Sequence, residues 1–425
     1  MFVALKSGLA AKSLPGVAKE LCKVHTKKRI LNYQVANLMR ASLRNEDEIP
    51  NIRPFPYHEK EMTVFQMLID THKCRVHQHS KLIIVDGQVA SGKNKLAKEL
   101  AEQFDFLYLP APTFDDLLIT AWGFDVRTLD HKLPKNVQSW DIERFLQNPT
   151  DINTASMQEY MLMMRMKHYM RALAHILCTG QGVVHVRSPW TDQVFAKAMA
   201  QSKFISPGAL ESHTDNCNAA LHFLMKPHAV IYLDVPVDRT LQNIKKRNLP
   251  HERNSPVLNE KYLTDIEENH KKDYLSKISR AAHLLIYDWS HGGDTEVVVE
   301  DLENLQWDGF RDDDPKMQDW RFTGYDYKVR AKNFTYDQDM YLGLLDIMRT
   351  DVPELMAEGH EFRIWDEVWS EVEDAKYERD YNPLKGDKNI LMKMNRYLHP
   401  DHVTPLIKKY EERKLREKNA RKAKN

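Results

Sequence analysis

Residues 87–94 read Gly87-Gln88-Val89-Ala90-Ser91-Gly92-Lys93-Asn94, a glycine-bounded loop that contains a lysine. The apolar run Leu82-Ile83-Ile84-Val85 precedes this loop, and the helix-like run 96–101 follows it. A strand, a glycine loop and a helix in this order form the context that a phosphate-binding loop requires. The loop amides and the helix N-terminus favour anions, and Lys93 adds a point charge. The stretch therefore predicts a phosphate cradle made by Gly87, Ser91, Gly92 and Lys93.

Asn94 stands where a working loop of this kind has Ser or Thr, whose hydroxyl holds Mg²⁺. The cradle is thus present while the position that secures the metal is altered. We count Asn94 among the cradle residues and predict no metal ligand there.

Apolar strands alternate with helices from residue 81 onward. The sequence predicts strands at 81–86, 106–109, 183–186, 229–234 and 284–287. It predicts helices at 94–104, 154–177, 192–200, 211–224, 237–248, 261–279 and 297–305. Continuous apolar strands between helices indicate a parallel sheet covered on both faces. The predicted fold is α/β, a doubly wound parallel sheet of the P-loop kinase type over residues 81–322, with a long irregular or helical C-terminal extension.

The N-terminal part of the chain is basic. Residues 1–44 contain nine Lys and Arg residues and one acid, Glu20, with Leu, Ala and Val interleaved. This composition is typical of a mitochondrial transit peptide, and a solvated basic arm is the alternative. Residues 45–80 form a mixed lead-in segment.

Residues 323–425 contain aromatic side chains among charges and helix breakers, without strand–helix alternation. We expect this extension to bury little of itself and to serve as a docking segment that orders against a partner. It ends in a basic run, 408–425, which could attract acidic protein or lipid head groups; a solvated, frayed helix is the alternative.

The composition of the whole chain excludes several classes of protein. The 425 residues include 61 Lys+Arg and 61 Asp+Glu, so the charge balance gives no argument for nucleic acid. No run reaches the eighteen or more apolar residues of a membrane span, which predicts a soluble or peripheral protein. The four cysteines are scattered and do not form the array that an iron–sulfur cluster requires.

Two groups of residues outside the loop add to the predicted site. Gln158 and Arg165 lie two turns apart on the long helix and therefore share a face. Arg187 and Ser188 follow the third strand, and Asp192 comes four residues later.

A basic segment follows the fourth strand, and its arginines Arg247 and Arg253 are placed to close over phosphates. Together with the glycine loop, these stretches resemble the deoxynucleoside kinases across residues 81–290. The resemblance implies that Gln158, Arg165 and Asp192 contact a nucleobase, whereas Lys93 and the loop amides hold phosphate.

The chain departs from this family at three positions that carry chemistry. Ala111 stands in place of the carboxylate that accepts the proton of the 5′-hydroxyl, Val186 in place of a metal-binding Glu, and Asn94 in place of Ser or Thr. Losing a general base costs about 10²–10⁴-fold, and the metal bridges the phosphates. We therefore expect a scaffold that binds a nucleotide without turning it over usefully. The alternative is a catalytically active mitochondrial deoxynucleoside kinase, in which water, Asp115 or Asp116 replaces the base.

The chain also resembles the kinase-like accessory subunits of mitochondrial respiratory complex I, a branch of this family, in stretches away from the loop. These stretches are Gly180-Gln181-Gly182-Val183-Val184, Lys226-Pro227-His228, Tyr287-Asp288-Trp289 and 292–301. The resemblance implies a non-catalytic subunit that is peripheral to the inner membrane on its matrix side, with the other complex I subunits as partners.

No cofactor is required by this interpretation. A bound purine (deoxy)nucleotide is the ligand that the residues favour. FAD has been ascribed to this branch, but the dinucleotide fingerprint Gly-x-Gly-x-x-Gly does not occur in the sequence to support it.

Overall fold

Five parallel strands form the central sheet of the computed structural model. They are β1 (Leu82–Gly87), β2 (Leu107–Leu109), β3 (Val183–Val186), β4 (Ala229–Asp234) and β5 (His283–Asp288). They lie in the order β2-β3-β1-β4-β5, and every neighbouring pair is parallel. The strand that leads into the glycine loop is therefore the central one.

The structure describes residues 38–44, 51–58, 60, 62–71, 74–120, 123–307, 315–322, 325–345, 351–372 and 404–424. The α-helices before β4 are α1 (Val64–Ile69), α2 (Lys93–Phe104), α3 (Asp115–Leu118), α4 (Ile142–Gln147), α5 (Thr154–Thr179), α6 (Asp192–Gln201) and α7 (Pro207–Ala220). Those after β4 are α8 (Val237–Arg247), α9 (Glu260–Asn269), α10 (Leu275–Ile278), α11 (Thr295–Asn304), α12 (Asp326–Thr335), α13 (Gln338–Leu342), α14 (Gly359–Glu371) and α15 (Thr404–Lys424). Among these residues, no helix is both long and apolar enough to cross a membrane.

Both faces of the sheet are covered, which explains why β1 is buried at all six positions. Ile83 and Val85 join the apolar cluster under α2 and α11. Leu82 and Ile84 join the larger cluster around α5. Helices on both faces of a parallel sheet confirm the predicted doubly wound α/β fold.

The long helix α5 is the main support of the second face. Its methionines at 157, 161, 164, 166 and 170 are buried in the apolar cluster, as expected for flexible side chains that fill irregular gaps. The helix ends at Gly180, whose left-handed φ of 81° lets its N–H reach the carbonyl of Ile176.

Most predicted elements are confirmed, and the differences have local causes. The strands 183–186 and 229–234 have the predicted bounds. The helix predicted at 211–224 begins earlier, at Pro207, because Ser206 caps it and proline is well suited to the first turn. The helix predicted at 261–279 is interrupted by a π-helical turn at His270–Tyr274.

The last residues of the predicted transit segment 1–44 pack against the folded unit, and the end of that segment stays a prediction. Leu38 is fully buried in the cluster under α2, and Arg40 bonds Glu303 of α11 at 2.9 Å. Arg44 donates to the carbonyl of Phe104 at 2.6 Å. Residues 38–44 therefore belong to the folded unit, whereas the rest of the predicted transit segment lies outside the described residues.

The lead-in segment also belongs to the core. Phe55, Tyr57, Met62 and Met67 are buried in the cluster around α5. The Tyr57 hydroxyl lies 2.8 Å from Nδ1 of His175, which fixes this segment to the long helix.

The expectation that residues 323–425 bury little of themselves is wrong for their first part. Helix α12 packs along α5, and Tyr327, Phe334, Tyr341 and Val352 join the core cluster. The sequence concealed this because the apolar residues are spread over short helices. The basic tail forms α15, and its docking role stays a prediction.

Candidate functional site

The glycine loop lies at the carboxyl end of β1, the edge of a parallel sheet at which ligands bind. Gly87 has a φ of 149°, and a Cβ there would come within 2.8 Å of the carbonyl oxygen of Leu233. Gly92 takes a left-handed φ of 85° at the start of α2. Lys93 donates from Nζ to the carbonyl of Gln88 at 2.9 Å, which folds the lysine over its own loop. The buried Ser91 hydroxyl has no hydrogen-bond partner among the described residues.

A cleft of about 920 Å³ opens beside this loop, and we call it the lysine-loop cleft. Its walls come from the loop, from α8 and from the segment after β5. They include Lys93, Asn94, Arg239, Lys246, Arg247 and Trp289. Glu99 is the one acid among the lining residues. The cleft is therefore strongly electropositive and suits an anionic ligand.

The charge of Lys93 is poorly compensated in the protein. Burial lowers the pKa of Lys93, the guanidinium of Arg187 lowers it further, and Asp86 only partly opposes this. Arg247 and Arg165 act in the same direction as Arg187. Phosphate oxygens in the cleft would relieve this repulsion, so the electrostatics of the loop favour a bound anion.

Asp86 is the acidic residue nearest to the loop that the sequence analysis missed. It accepts a hydrogen bond from the N–H of Gly87 at 2.8 Å and another from the Thr191 hydroxyl. Nε2 of His270 lies 3.8 Å away. Burial alone raises the pKa of Asp86, but His270 and Arg187 lower it below its usual range. A carboxylate at the end of an otherwise apolar strand was the signal that could have found it.

Gln158 and Arg165, which their spacing placed on one face of the long helix, lie together with Asp192, and the three side chains bond to one another. Gln158 donates from Nε2 to Asp192 at 2.8 Å, and Arg165 forms an ion pair with the same carboxylate. His213 lies 3.5 Å from it. Asp192 is 0% exposed. We call these four residues the Asp192 cluster.

The Asp192 cluster is separate from the lining of the lysine-loop cleft, which includes none of its members. Burial raises the pKa of Asp192, while Arg165 and His213 oppose that effect. The carboxylate is thus held by its neighbours instead of facing solvent. A nucleobase would have to displace these internal bonds, so the role of these residues in reading a base stays a prediction.

Arg187 links the two groups. Its guanidinium lies 4.5 Å from the ring centroid of Phe195, and that of Arg165 lies 5.0 Å from the same centroid. Burial lowers the pKa of Arg187 to about 10. Its φ of 65° is unusual for a residue with a side chain, and its buried Nη1 has no partner among the described residues. A strained, buried cation with a free donor suits an anion binder.

The two predicted lid arginines differ in position. Arg247 lines the cleft while it forms an ion pair with Glu252. Arg253 is not among the lining residues and donates to the side chain of Asn248 at 2.9 Å. Of the two, Arg247 is placed to contact a ligand.

The residues at the two altered metal positions, Asn94 and Val186, do not fit the usual magnesium site. The side chain of Val186 packs into the apolar cluster under α2, so β3 supplies no carboxylate there. Asn94 offers an uncharged amide at the cleft. Both oxygens of Asp86 already accept hydrogen bonds. Within the described part of the chain, no group of three or more His, Cys, Asp or Glu residues could hold a metal ion.

The two acids considered as replacement bases have partners of their own. Asp115 pairs with Arg127 at 2.9 Å. Asp116 accepts from the N–H of Thr113 at 2.8 Å and lies 3.7 Å from His168. Neither lines the lysine-loop cleft.

The fold and the loop define a P-loop protein of the nucleoside kinase type. The family model for deoxynucleoside kinase matches residues 83–317, more than half of the chain, and the chain belongs to this family. The relatives of this chain include both kinases and proteins that carry another name.

Two mammalian relatives carry the same name, NADH dehydrogenase [ubiquinone] 1 alpha subcomplex subunit 10, mitochondrial. The Rattus norvegicus protein is 34% identical over 325 residues, covering 75% of this chain and 86% of its own. The Bos taurus protein is 32% identical over 327 residues, covering 75% and 89%.

A deoxyguanosine kinase from Dictyostelium discoideum is 24% identical over 230 residues, covering 54% of this chain and 71% of its own. A solved structure of deoxyadenosine kinase from M. mycoides with bound dATP is 18% identical, with a TM-score of 0.40. It covers 52% of this chain and 97% of that chain.

Proposed function

We propose that this protein is a non-catalytic accessory subunit of the mitochondrial NADH dehydrogenase (ubiquinone) complex, respiratory complex I. It supports assembly or stability of the membrane arm from the matrix side of the inner membrane. The observation that carries this proposal is the extent of the similarity. The 325 residues aligned with the Rattus norvegicus subunit extend beyond the 83–317 span of the kinase model.

The chemistry of the site supports a subunit without kinase turnover. The cations that hold phosphate persist at the loop, but Ala111 and Val186 replace two carboxylates and Asn94 replaces the metal-binding hydroxyl. Phosphoryl transfer depends on positioning the nucleophile and on metal ions that neutralise developing charge. A site that keeps the phosphate-binding groups but lacks the general base and the metal ligands suits a nucleotide with a structural role.

An exposed apolar surface supports docking onto other subunits. On α1, Val64, Phe65, Leu68 and Ile69 are 58%, 68%, 72% and 54% exposed. Helix α12 lies beside α1, and the Lys328 ammonium joins them by donating to the carbonyl of Met67 at 2.9 Å. The exposed large apolar and aromatic residues on and around α12 are Tyr325, Val329, Tyr336 and Met340. Contiguous exposed apolar and aromatic side chains mark protein interaction sites.

Native electrophoresis of solubilised mitochondria tests the proposal directly. Cells without the gene are complemented with the tagged full chain, and the tag is followed beside the in-gel oxidation of NADH. We expect the chain to comigrate with a very large NADH-oxidising assembly, and that assembly to decline in the uncomplemented cells. A free protein in the matrix, with the assembly intact in its absence, would refute the proposal.

The exposed surface can be tested in the same cells. The double variant Phe65→Asp/Leu68→Asp places two charges on α1 at strongly exposed positions, so the fold should persist. We expect it to accumulate as free protein. The matched control is Val297→Asp on α11, which is 50% exposed away from this surface and should still assemble.

The second candidate function is an active mitochondrial deoxynucleoside kinase. The similarity to the Dictyostelium discoideum deoxyguanosine kinase and the electropositive cleft favour it. Purified chain is assayed with deoxynucleosides and Mg·ATP beside that kinase as a positive control. Ordinary kinase rates in the unaltered chain would establish the enzyme. Activity that appears only after Asn94→Thr, Ala111→Glu and Val186→Glu are combined would favour the degraded kinase.

The ligand proposed for the cleft is a purine deoxynucleotide or ATP. Lys93, the loop amides and Arg247 would hold its phosphates, and a single glycine loop suits one mononucleotide. FAD is not supported, because the residues include no dinucleotide fingerprint. Mass spectrometry of the nucleotide released from the denatured, natively purified assembly identifies the occupant.

A further inference from the structure

A second pocket lies on the face of the domain formed by α6, α7 and the π-helical turn. Its volume is about 300 Å³, at the small end of the range for ligand sites. It shares no lining residue with the lysine-loop cleft. It is therefore distinct from the lysine-loop cleft.

The floor of this pocket is apolar and firmly packed. Val194, Leu221, Tyr274 and Ile278 line it, and each of them is buried. They come from α6, from the 3-10 turn that follows α7, from the π-helical turn and from α10. The pocket can thus hold an apolar body of about ten non-hydrogen atoms without rearrangement of its floor.

The rim of the pocket carries an excess of positive charge. Lys197, Lys226 and Lys277 line it, against one acid, Asp273. Lys197 and Asp273 form an ion pair with each other. Lys277 also acts on Asp273 through its charge. Three lysines against one acid still leave the rim with an excess of positive charge.

Lys226 is held in an unusual setting. Its Nζ lies 4.2 Å from the ring centroid of Trp190, another lining residue. Burial lowers the pKa of Lys226, since the desolvated ammonium is only partly compensated by Asp319. An anionic group on a ligand would supply the missing charge at the mouth of an apolar pocket.

The π-helical turn places two of the lining residues. It spans His270–Tyr274, inside an otherwise α-helical run, and it brings Asp273 and Tyr274 to the pocket wall. The Tyr274 hydroxyl lies 3.3 Å from that of Ser188, which anchors the turn to the sheet edge. Single π-helical turns within α-helices occur frequently at functional sites.

We propose that this pocket is a second binding site, for a small amphiphilic carboxylate. The apolar body packs against Val194, Leu221 and Ile278, and the carboxylate lies between Lys226 and Lys277. Lysine contributes a compact point charge on a flexible stem, so two lysines on the rim can attract one carboxylate. For a ligand of ten non-hydrogen atoms, we expect a dissociation constant on the order of 100 μM.

Three eight-carbon probes test this proposal on the full chain: octanoate, octan-1-ol and octylamine. Saturation-transfer NMR and titration calorimetry report their binding. We expect octanoate to bind, octan-1-ol to bind at least about tenfold more weakly, and octylamine not to bind. Equal binding of the three probes, or no binding of octanoate at millimolar concentration, would overturn the proposal.

Variants and competition place the ligand in this pocket. Lys226→Met/Lys277→Met should weaken octanoate binding about tenfold or more, because the charges that select the carboxylate are removed. The matched control, Lys98→Met, alters an exposed lysine of α2 and should leave the affinity unchanged. Saturating ATP should not displace octanoate. Displacement by ATP, or an unchanged affinity in the double variant, would place the carboxylate elsewhere and refute the proposal.

Discussion

The lysine-loop cleft and the Asp192 cluster treat their charges in opposite ways. In the cleft, cations from the loop and from α8 face an open volume of about 920 Å³ with Glu99 as the one acid of the lining. In the cluster, the side chains of Arg165 and Gln158 both bond to the buried carboxylate of Asp192. An anionic ligand would compensate the charges of the cleft, whereas the charges of the cluster are compensated by its own members. The proposed ligand therefore belongs to the cleft, whereas the cluster contributes to the fold.

The largest effect is expected when the cluster is broken on one side. Asp192→Leu leaves the Arg165 guanidinium buried without its carboxylate, which costs about 3–5 kcal/mol. Denaturant unfolding at neutral pH measures the loss. The double variant Arg165→Met/Asp192→Leu removes both charges and should recover most of it. Equal losses in the single and double variants would show that the pair is not coupled.

Acid should destabilise the folded state through His185, a buried residue of β3 whose ring contacts the carbonyl of Arg187. Burial lowers the pKa of His185 to about 4, from 6.5. Between these pH values the unfolded chain takes up a proton that the folded chain does not bind. The contribution of His185 is therefore complete above pH 6.5 and is lost as the pH falls toward 4, on the order of 3 kcal/mol.

His185→Gln tests this pH dependence. The free energy of unfolding is measured at pH 7 and at pH 4, and the difference between the two should shrink in the variant. The exposed His131→Gln is the control and should keep the original difference. Parallel pH profiles for His185→Gln and the unaltered chain would contradict the assignment.

Removing a cation from the cleft should weaken ligand binding without destabilising the fold, unlike the loss of Asp192. Lys93→Met is expected to weaken ATP binding about 30-fold, because a charge-assisted hydrogen bond contributes about 2 kcal/mol. Without ligand the variant should be at least as stable as the unaltered chain, because burial and the nearby arginines lower the pKa of Lys93 and so disfavour its charge in the folded state. Thermal unfolding with and without ATP measures both effects, with Lys98→Met as control. If Lys93→Met destabilised the protein as much as Asp192→Leu, the cleft and the cluster would not differ in the way proposed.

The smallest effect distinguishes the two arginines after β4. Arg247→Gln should weaken ATP binding about tenfold, since Arg247 lines the cleft. Arg253→Gln should change it less than about twofold, because Arg253 bonds Asn248 away from the lining. Calorimetric titration of both variants makes the comparison. Equal losses would show that the segment moves inward when a nucleotide binds.

Local sequence patterns predicted much of the fold. The runs at 183–186 and 229–234 became strands with the same bounds. They are apolar apart from His185 and Asp234, as expected for strands of a sheet that is covered on both faces. The loop from Gly87 to Lys93 was equally readable, since its conformation depends on glycines within the stretch itself. The folded part of the extension was missed because α12 and α13 depend on α5 for burial.

The sequence by itself determined the chemical inventory of the site: a glycine loop with Lys93, a Gln–Arg–Asp set, and no acid at Ala111 or Val186. Only the tertiary structure decided how those charges are used. Asp192 pairs with Arg165, and Arg247 lines the cleft. Both arrangements depend on how α5, α6 and α8 pack against the sheet. Spacing along a chain fixes which residues share a face. The balance between burial and charge pairing depends on elements far apart in sequence, and it appears only when they meet.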